Sequence, residues 1–396
     1  MNREEKSKII LSFFRLNFIL GIARASIAPI IPVLAEEFRI GFDQVGIIMF
    51  SGIFFSMLAT VLFGRLSDKF GRKRIINISM VSLLIGFASM IFSWNLYIFI
   101  PSFFFIRFGI GGVETGVTTG AADLSENESS PALTRLFKFS SLGSIVGPII
   151  LFIIFFIGQS WRIFFIVNII PAIILYILFI RTDYPRNKIT LEKPKVKFSD
   201  FLDPIILLGC AVLVFTDGVI IQFADWFTTY FLSFGVEVEY SIIFISAFWF
   251  SILLGQLIIQ RALRKFHENN IIIFITCAAF IDIVFIILTQ NMILKIIFSF
   301  LLGLISSGIL PILFSILLSR KPHMKGAVYS FMGLIGYGSI MTYQLISGFV
   351  AEYLGKDKII YINLIASILC FIFTILLIRY KIRDHRNNSI EKQKNL

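Results

Sequence analysis

Apolar runs of about twenty residues recur along this chain from Ile9 to Ile378, separated by short polar turns. An α-helix rises 1.5 Å per residue, so about 20 residues cross the roughly 30 Å hydrocarbon core of a bilayer. Runs this long and this unbroken suit neither strands nor the striped helices of a soluble domain. Twelve runs qualify, six between Ile9 and Ile180 and six between Ile205 and Ile378. Only 15% of the residues are charged, against about 25% in soluble chains, so the solvent this sequence is matched to is lipid. The expected fold class is an all-α integral membrane protein with twelve transmembrane helices. The first run exceeds the 7–15 apolar residues of a secretory signal and lacks a cleavage site, so it is expected to stay as a membrane helix.

The net charge of +12 does not mark a nucleic-acid surface, because the basic residues sit in short clusters between apolar runs. Lys and Arg concentrate on the cytoplasmic side of membrane proteins. With both termini inside, 28 of the 36 basic residues fall in cytoplasmic segments. Five fall outside (Arg39, Arg162, Lys295, Lys356 and Lys358), and Arg15, Arg24 and Arg107 lie within runs. The expected location is the cell membrane, multi-pass, with both termini cytoplasmic. Cys210, Cys277 and Cys370 lie apart in apolar runs and read as core residues. His267, His323 and His385 all fall in the cytoplasmic segments, which argues against a histidine proton relay. No metal and no cofactor are expected.

One long hydrophilic stretch, 181–203, divides the chain into similar halves. The expected organisation is a six-helix half over 1–180, a cytoplasmic linker over 181–203, a second six-helix half over 204–380 and a tail over 381–396. Gly64 repeats at Gly255 and Gly143 at Gly333, offsets of 191 and 190 residues. Parallel halves of this kind are a transporter architecture.

The strongest local signal is Gly64-Arg-Leu-Ser-Asp68-Lys-Phe-Gly71-Arg72-Lys-Arg74, between the second and third runs. Glycine removes the Cβ that would keep such a turn from its neighbours. Asp68 can face a helix N-terminus and Arg72 can pair with a carboxylate. The segment resembles the helix 2–3 signature of the major facilitator superfamily, with Lys69 at the first basic position. The resemblance implies a conformational latch formed by Gly64, Asp68, Gly71 and Arg72, with Asp123 or Glu126 as partner. The alternative is a basic loop with a tight turn. In the second half Gly255-Gln-Leu-Ile-Ile-Gln-Arg261 has no aspartate at the matching place. Gly143-Ser-Ile-Val-Gly147-Pro148 resembles a motif of the superfamily's drug–proton antiporters, although glycines four apart also simply let helices pack closely.

The fourth run is the most informative. Arg107, Gly111, Glu114 and Thr118 fall on one helical face. Ionised groups in a membrane helix cost about 2.5–3.5 kcal/mol each on insertion scales unless they face protein or water. This face is expected to line a polar cavity, the alternative being an Arg–carboxylate lock between helices. Asn17, Gly21, Arg24 and Ala28 form a matching stripe in the first run, and Gly218, Gln222, Asp225 and Thr229 in the seventh, with Trp226 beside them. Asp217 and Asp282 are also embedded, Asp217 off the stripe.

Gly109-Ile-Gly111-Gly112-Val-Glu114-Thr115 is similar to a stretch in helix 4 of the fucose, galactose and hexose proton symporters. The similarity returns in Gly218-x-x-x-Gln222-x-x-x-Trp226 and in Gly303-x-x-x-x-Gly308-Ile-Leu-Pro311. It implies a sugar or a related small polar solute, coupled to a proton or a sodium ion and carried by alternating access, in a chain acting as a monomer in the lipid bilayer. It also implies that Glu114 takes part in sugar binding and coupling. Arg24 and Arg107 are then its charge partners, Asn17 and Thr118 line the site, and Gln222, Asp225 and Trp226 supply second-half contacts, the Trp by stacking. The fucose transporter also has a helix 1 aspartate, whereas the only charge between Asn17 and Leu34 here is Arg24, which leaves a sugar acid open. A drug or lipid exporter is the rival reading. A membrane-embedded enzyme has no metal-ligand cluster, nucleophile–base pair or phosphate loop in its favour.

Overall fold

The computed structural model describes residues 3–124, 129–182, 184, 198–321 and 324–394. Among them every regular element is helical, the form in which a chain satisfies its own backbone groups in lipid. Twelve spans are long and apolar enough to cross a membrane. Spans 1 to 6 are Lys6–Glu37, Phe42–Ser67, Arg72–Ile91, Leu96–Ala121, Lys138–Phe156 and Arg162–Ile180. Spans 7 to 12 are Pro204–Leu232, Val238–Ala262, Glu268–Leu288, Met292–Arg320, Gly326–Tyr353 and Lys356–Asp384. The shortest has 19 residues, about 28 Å of helix. In each unit the face that carries a chain terminus is here called the termini face, and the opposite one the distal face.

Span 6 displays the lipid-facing pattern. Ile166, Ile170, Ile173, Ile174 and Ile177 are exposed on one side, while Phe164, Phe165, Asn168 and Ala172 are buried on the other. The exposed side is wholly aliphatic and the one amide is buried among aromatic rings, whereas a soluble helix keeps its polar residues outside. Two spans are broken. In span 1 the helix Arg3–Arg24 gives way to a 3-10 turn, Ala28–Ile30, and then to the helix Ile31–Glu37. Pro29 and Pro32 lack the N–H groups that would continue the ladder. Span 10 divides into Met292–Ser306 and Ile309–Arg320 around Ser307 and Gly308.

The chain forms two compact units. The first joins Met1–Leu191 with Asp225–Phe250 and Gln344–Asp357, so it takes in parts of spans 7, 8 and 11 besides the first six. Spans 1 and 5 cross where a Cβ on Gly143 would stand 2.1 Å from the Phe18 carbonyl oxygen and 3.0 Å from the Gly21 Cα. The close-packing reading of the span 5 glycines therefore holds at Gly143. At the distal face Arg162 clamps three connections. It donates to Glu37 and to the Ser93 carbonyl (2.6 Å), and its guanidinium lies 4.3 Å and 4.4 Å from the ring centres of Trp94 and Trp161. The Trp161 indole N–H completes the clamp on Glu37 at 2.7 Å.

The second unit comprises Glu192–Ala224, Ser251–Tyr343 and Lys358–Leu396. An aliphatic core that includes Ile206, Val212, Ile272, Leu313 and Leu377 fills it. On the termini face Arg320 pairs with Asp203 (2.9 Å) and Asp384 (2.6 Å), and Lys381 with Glu268 (2.8 Å). Basic residues counted above as orientation signals thus also tie helix ends together. The last helix, Ile360–Lys394, runs on through most of the segment set apart as a tail. Lys295, assigned from sequence to an outer segment, is instead buried in span 10, where it donates to the Ile286 carbonyl at 2.7 Å.

Candidate functional site

The break in span 1 builds one side of the site. Arg24 is the last residue of its helix, so its side chain leaves at the point where the chain departs from the ladder, beside carbonyls that favour a cation. It reaches span 4, where its Nη2 stands 2.9 Å from Glu114 Oε2. The two side chains keep 37% and 30% of their surface exposed, so the pair borders open space inside a helical, apolar surround. A pair that borders open space on one side can be reached by water or a solute, and so can be made and broken.

The other members of the span 4 face divide in role. Gly111 packs: a Cβ there would lie 2.2 Å from the Ser56 carbonyl oxygen of span 2. Ser56 in turn donates to the Arg107 carbonyl at 2.7 Å. The Arg107 guanidinium lies 5.7 Å from the centre of the Phe103 ring. Arg107 is two helical turns from Glu114, about 10 Å along the axis, and the short contact to Glu114 comes from Arg24. Thr118 is half-buried. Asn17 is buried and its amide nitrogen donates back to the Phe13 carbonyl at 3.2 Å.

Asp225, in the part of span 7 that belongs to the first unit, completes the cluster. Arg24, Arg107 and Glu114 belong to the same unit. Gln344 of span 11 donates through Nε2 to Asp225 Oδ2 and accepts through Oε1 from the Trp226 indole N–H at 2.9 Å. Two guanidiniums and two carboxylates thus balance one another within one unit, which offsets the cost of holding each charge away from bulk water.

Sequence reasoning missed Gln344. In the sequence it is a lone amide within the eleventh apolar run, with no charged residue beside it. The stacking role expected of Trp226 is not available in this conformation. The ring is completely buried beside Phe42, its centroid 6.4 Å away, and its N–H is engaged by Gln344. Gln222 is buried and lies in the second unit. Asp217 is buried there too, beside Ser339, Tyr343 and Gly336.

The latch motif is described in part. The Asp68 and Asp123 side chains and the whole of Glu126 lie outside the described residues. Gly71 has φ +90°, which favours glycine,. Gly64 corrects the expectation of close approach, since a Cβ there would meet nothing within 4 Å. Arg72 donates to the Ser67 hydroxyl. Lys73, unassigned from sequence, donates to the Ile180 and Thr182 carbonyls at 2.7 Å and 2.6 Å and so caps the C-terminus of span 6,.

The family model described as Major Facilitator Superfamily matches residues 13–343. Among curated relatives, a "Protein TsgA homolog" of Buchnera aphidicola is 24% identical over 74% of this chain and 75% of its own length. The "Glucose/mannose transporter GlcP" of Bacillus subtilis is 23% identical, covering 74% of this chain and 76% of its own length. The "Multi-drug resistance efflux pump PmrA" of Streptococcus pneumoniae is 29% identical over about half of each chain, 52% of this one and 53% of its own. Among solved structures, that of a D-xylose–proton symporter has the same fold, with a TM-score of 0.77 at 14% identity over 93% of this chain and 96% of that one. The match over most of the chain, the twelve spans and the shared fold lead to one conclusion: this protein belongs to the Major Facilitator Superfamily and is a multi-pass membrane transporter, not an enzyme.

Proposed function

We propose that this transporter moves a sugar or a small polar sugar derivative across the cell membrane by alternating access, driven by a proton. The observation that carries the reading is the partly exposed Arg24–Glu114 pair at the break of span 1. A carboxylate placed so can be satisfied in two ways, by the guanidinium when ionised or by a proton when the guanidinium is drawn away. Alternation between these states as the site opens to either side would tie proton movement to solute movement. Glu114 is the coupling carboxylate in this scheme, and Arg24 and Arg107 are its charge partners. Asn17, Thr118, Gln222 and Asp225 supply polar contacts suited to hydroxyl groups, as few well-placed polar groups do in solute sites generally. Trp226 supports Gln344 and Asp225 in the conformation described here. The similarity to the glucose/mannose transporter favours a sugar. The extra guanidinium leaves room for a sugar acid.

The six-helix halves 1–180 and 204–380 are the bodies proposed to move, with 181–203 and both termini cytoplasmic and the chain acting as a monomer. Asp68 and Arg72, with Asp123, form the proposed latch on that face. A second reading, export of a drug or lipid, is favoured by the similarity to the efflux pump. Uptake of labelled sugars and sugar acids, abolished by uncoupler, supports the first reading. Resistance conferred on a drug-sensitive strain without such uptake supports the second.

The decisive variant is Glu114→Gln, which keeps the shape and fixes the neutral form. Concentrative uptake should be lost while counterflow exchange of preloaded solute persists. If pH-driven accumulation survived in E114Q at normal expression, coupling would lie elsewhere, with Asp225, Asp282 or sodium as the next candidates.

A further inference from the structure

Gln344 stands where the charged site meets a helix crossing. Its side chain bridges Asp225 and Trp226. Its backbone carbonyl oxygen lies against Gly46 of span 2, so close that a Cβ on Gly46 would stand 2.8 Å from it and 3.0 Å from the Gly348 Cα. One turn further along span 11, a Cβ on Gly348 would stand 2.6 Å from the Phe42 carbonyl oxygen. The contact continues toward the distal face. Glu352 accepts the Phe42 amide N–H at 2.7 Å, the Tyr353 hydroxyl donates to Asp43 at 3.3 Å, and the Lys356 ammonium lies 4.8 Å from the Phe42 ring centre. The Phe42 ring also packs beside Trp226. The start of span 2 is thus held by span 11 on one side and by Trp226 on the other.

We propose that Gln344 is a positioning residue that couples occupancy of the Asp225 site to closure of the span 2–span 11 crossing. The chemistry gives the link a direction. An indole N–H only donates, so the Gln344 carbonyl oxygen must face Trp226 and its NH2 group must face an acceptor. Asp225 is that acceptor, and a hydrogen bond to an ionised carboxylate is about twice as strong as one between neutral groups. A solute hydroxyl that donates to Asp225 competes with the Gln344 NH2. Once displaced, the amide no longer presents its oxygen squarely to Trp226, and the indole that braces Phe42 loses its partner. A crossing held by backbone contact at Gly46 and Gly348 leaves no compliant side chain to absorb such a shift, so it is either closed or open. Binding at Asp225 is thereby converted into release of the distal end of span 2.

The inference rests on the reading of Asp225 as a solute contact, but its test needs no transported solute. In the purified full-length protein carrying Ala351→Cys, a thiol is placed on a buried position that shares the helical face of Gln344 and Gly348 on span 11. Its rate of reaction with a bulky maleimide, read at residue 351 by mass spectrometry, reports opening of the crossing. Gln344→Met keeps length and bulk but removes both hydrogen bonds. It should raise the labelling rate on the order of fivefold, as expected when one buried hydrogen bond stops holding the closed state. Trp226→Phe keeps a ring and removes only the donor, so it should raise labelling similarly, and the double variant should show little more than either alone. Unchanged labelling in a folded Q344M overturns the proposal. If Q344M does not fold, unchanged labelling in W226F overturns it equally. Failure of sugar uptake with labelling behaving as expected would instead remove the substrate assignment and leave the link intact.

Discussion

Arg162 illustrates how little a charge count says about what a charged side chain does. From sequence it is one of five basic residues on the sparsely charged side. In the structure it is 5% exposed, donates to Glu37 and the Ser93 carbonyl, and lies between two tryptophan rings. A lysine has neither the planar fork nor the flat face this site uses. Arg162→Ala should therefore destabilise the protein by about 2–3 kcal/mol, somewhat below the cost of breaking a fully buried pair because Glu37 keeps contact with solvent. Arg162→Lys should recover only a small part. Thermal unfolding of the detergent-solubilised protein measures both, and a lysine variant as stable as the native chain would refute the stacking account. Glu114 is the opposite case. A carboxylate on a membrane helix, facing the same way as Arg107, was conspicuous in the sequence. Arg24 and Arg107 both offered themselves as partners from sequence; that Arg24, 90 residues away, makes the short contact follows from the packing of spans 1 and 4.

Among helices, glycines that repeat between the halves do not repeat in function. Gly143 is pressed against the Phe18 carbonyl of span 1, whereas Gly333 has nothing within 4 Å of a built Cβ. The same contrast separates Gly64, which has open space, from Gly255, where a Cβ would lie 2.1 Å from the Leu304 carbonyl oxygen. A methyl group at Gly143 must push two backbones apart. Gly143→Ala should therefore reduce the yield of folded protein and lower its unfolding temperature. Gly333→Ala meets no obstacle and replaces a poor helix former with the best one, so it should stabilise by about 0.5–1 kcal/mol. The two variants measured side by side test whether repeat symmetry or local contact governs these positions, and equal effects would favour symmetry. Span 11 also shows what pattern reading overlooks. Gln344 is one amide in a long apolar helix, and Ser347 and Gly348 at i+3 and i+4 do not by themselves mark it as more than a tolerated polar residue.

For the whole molecule, orientation in the membrane follows from where the basic residues lie. The proposed topology places the stretch 181–203 and both termini in the cytoplasm. A single cysteine introduced in that stretch should react with impermeant maleimide only after the cells are opened. Labelling of intact cells at that position would invert the arrangement and exchange the inward and outward roles of the two faces. The ionic contacts Arg320–Asp203, Arg320–Asp384 and Lys381–Glu268 lie on the face of the second unit that carries its C-terminal helix end, so part of the positive charge on which the proposed topology rests is neutralised within that unit.

The apolar runs alone determined that this chain crosses a membrane twelve times, because the thickness of a bilayer and the rise of a helix leave no other use for them. The motif between the second and third runs pointed to the superfamily, and helical periodicity placed Arg107, Gly111, Glu114 and Thr118 on one face. Those properties depend on neighbours within a few turns. Which arginine pairs with Glu114, which glycine is a contact and which merely a gap, and that Trp226 is held by Gln344 depend on spans distant in sequence packing side by side. Only the tertiary structure decides them, since a side chain's partner is set by where a second helix comes to rest, and no local period encodes that position.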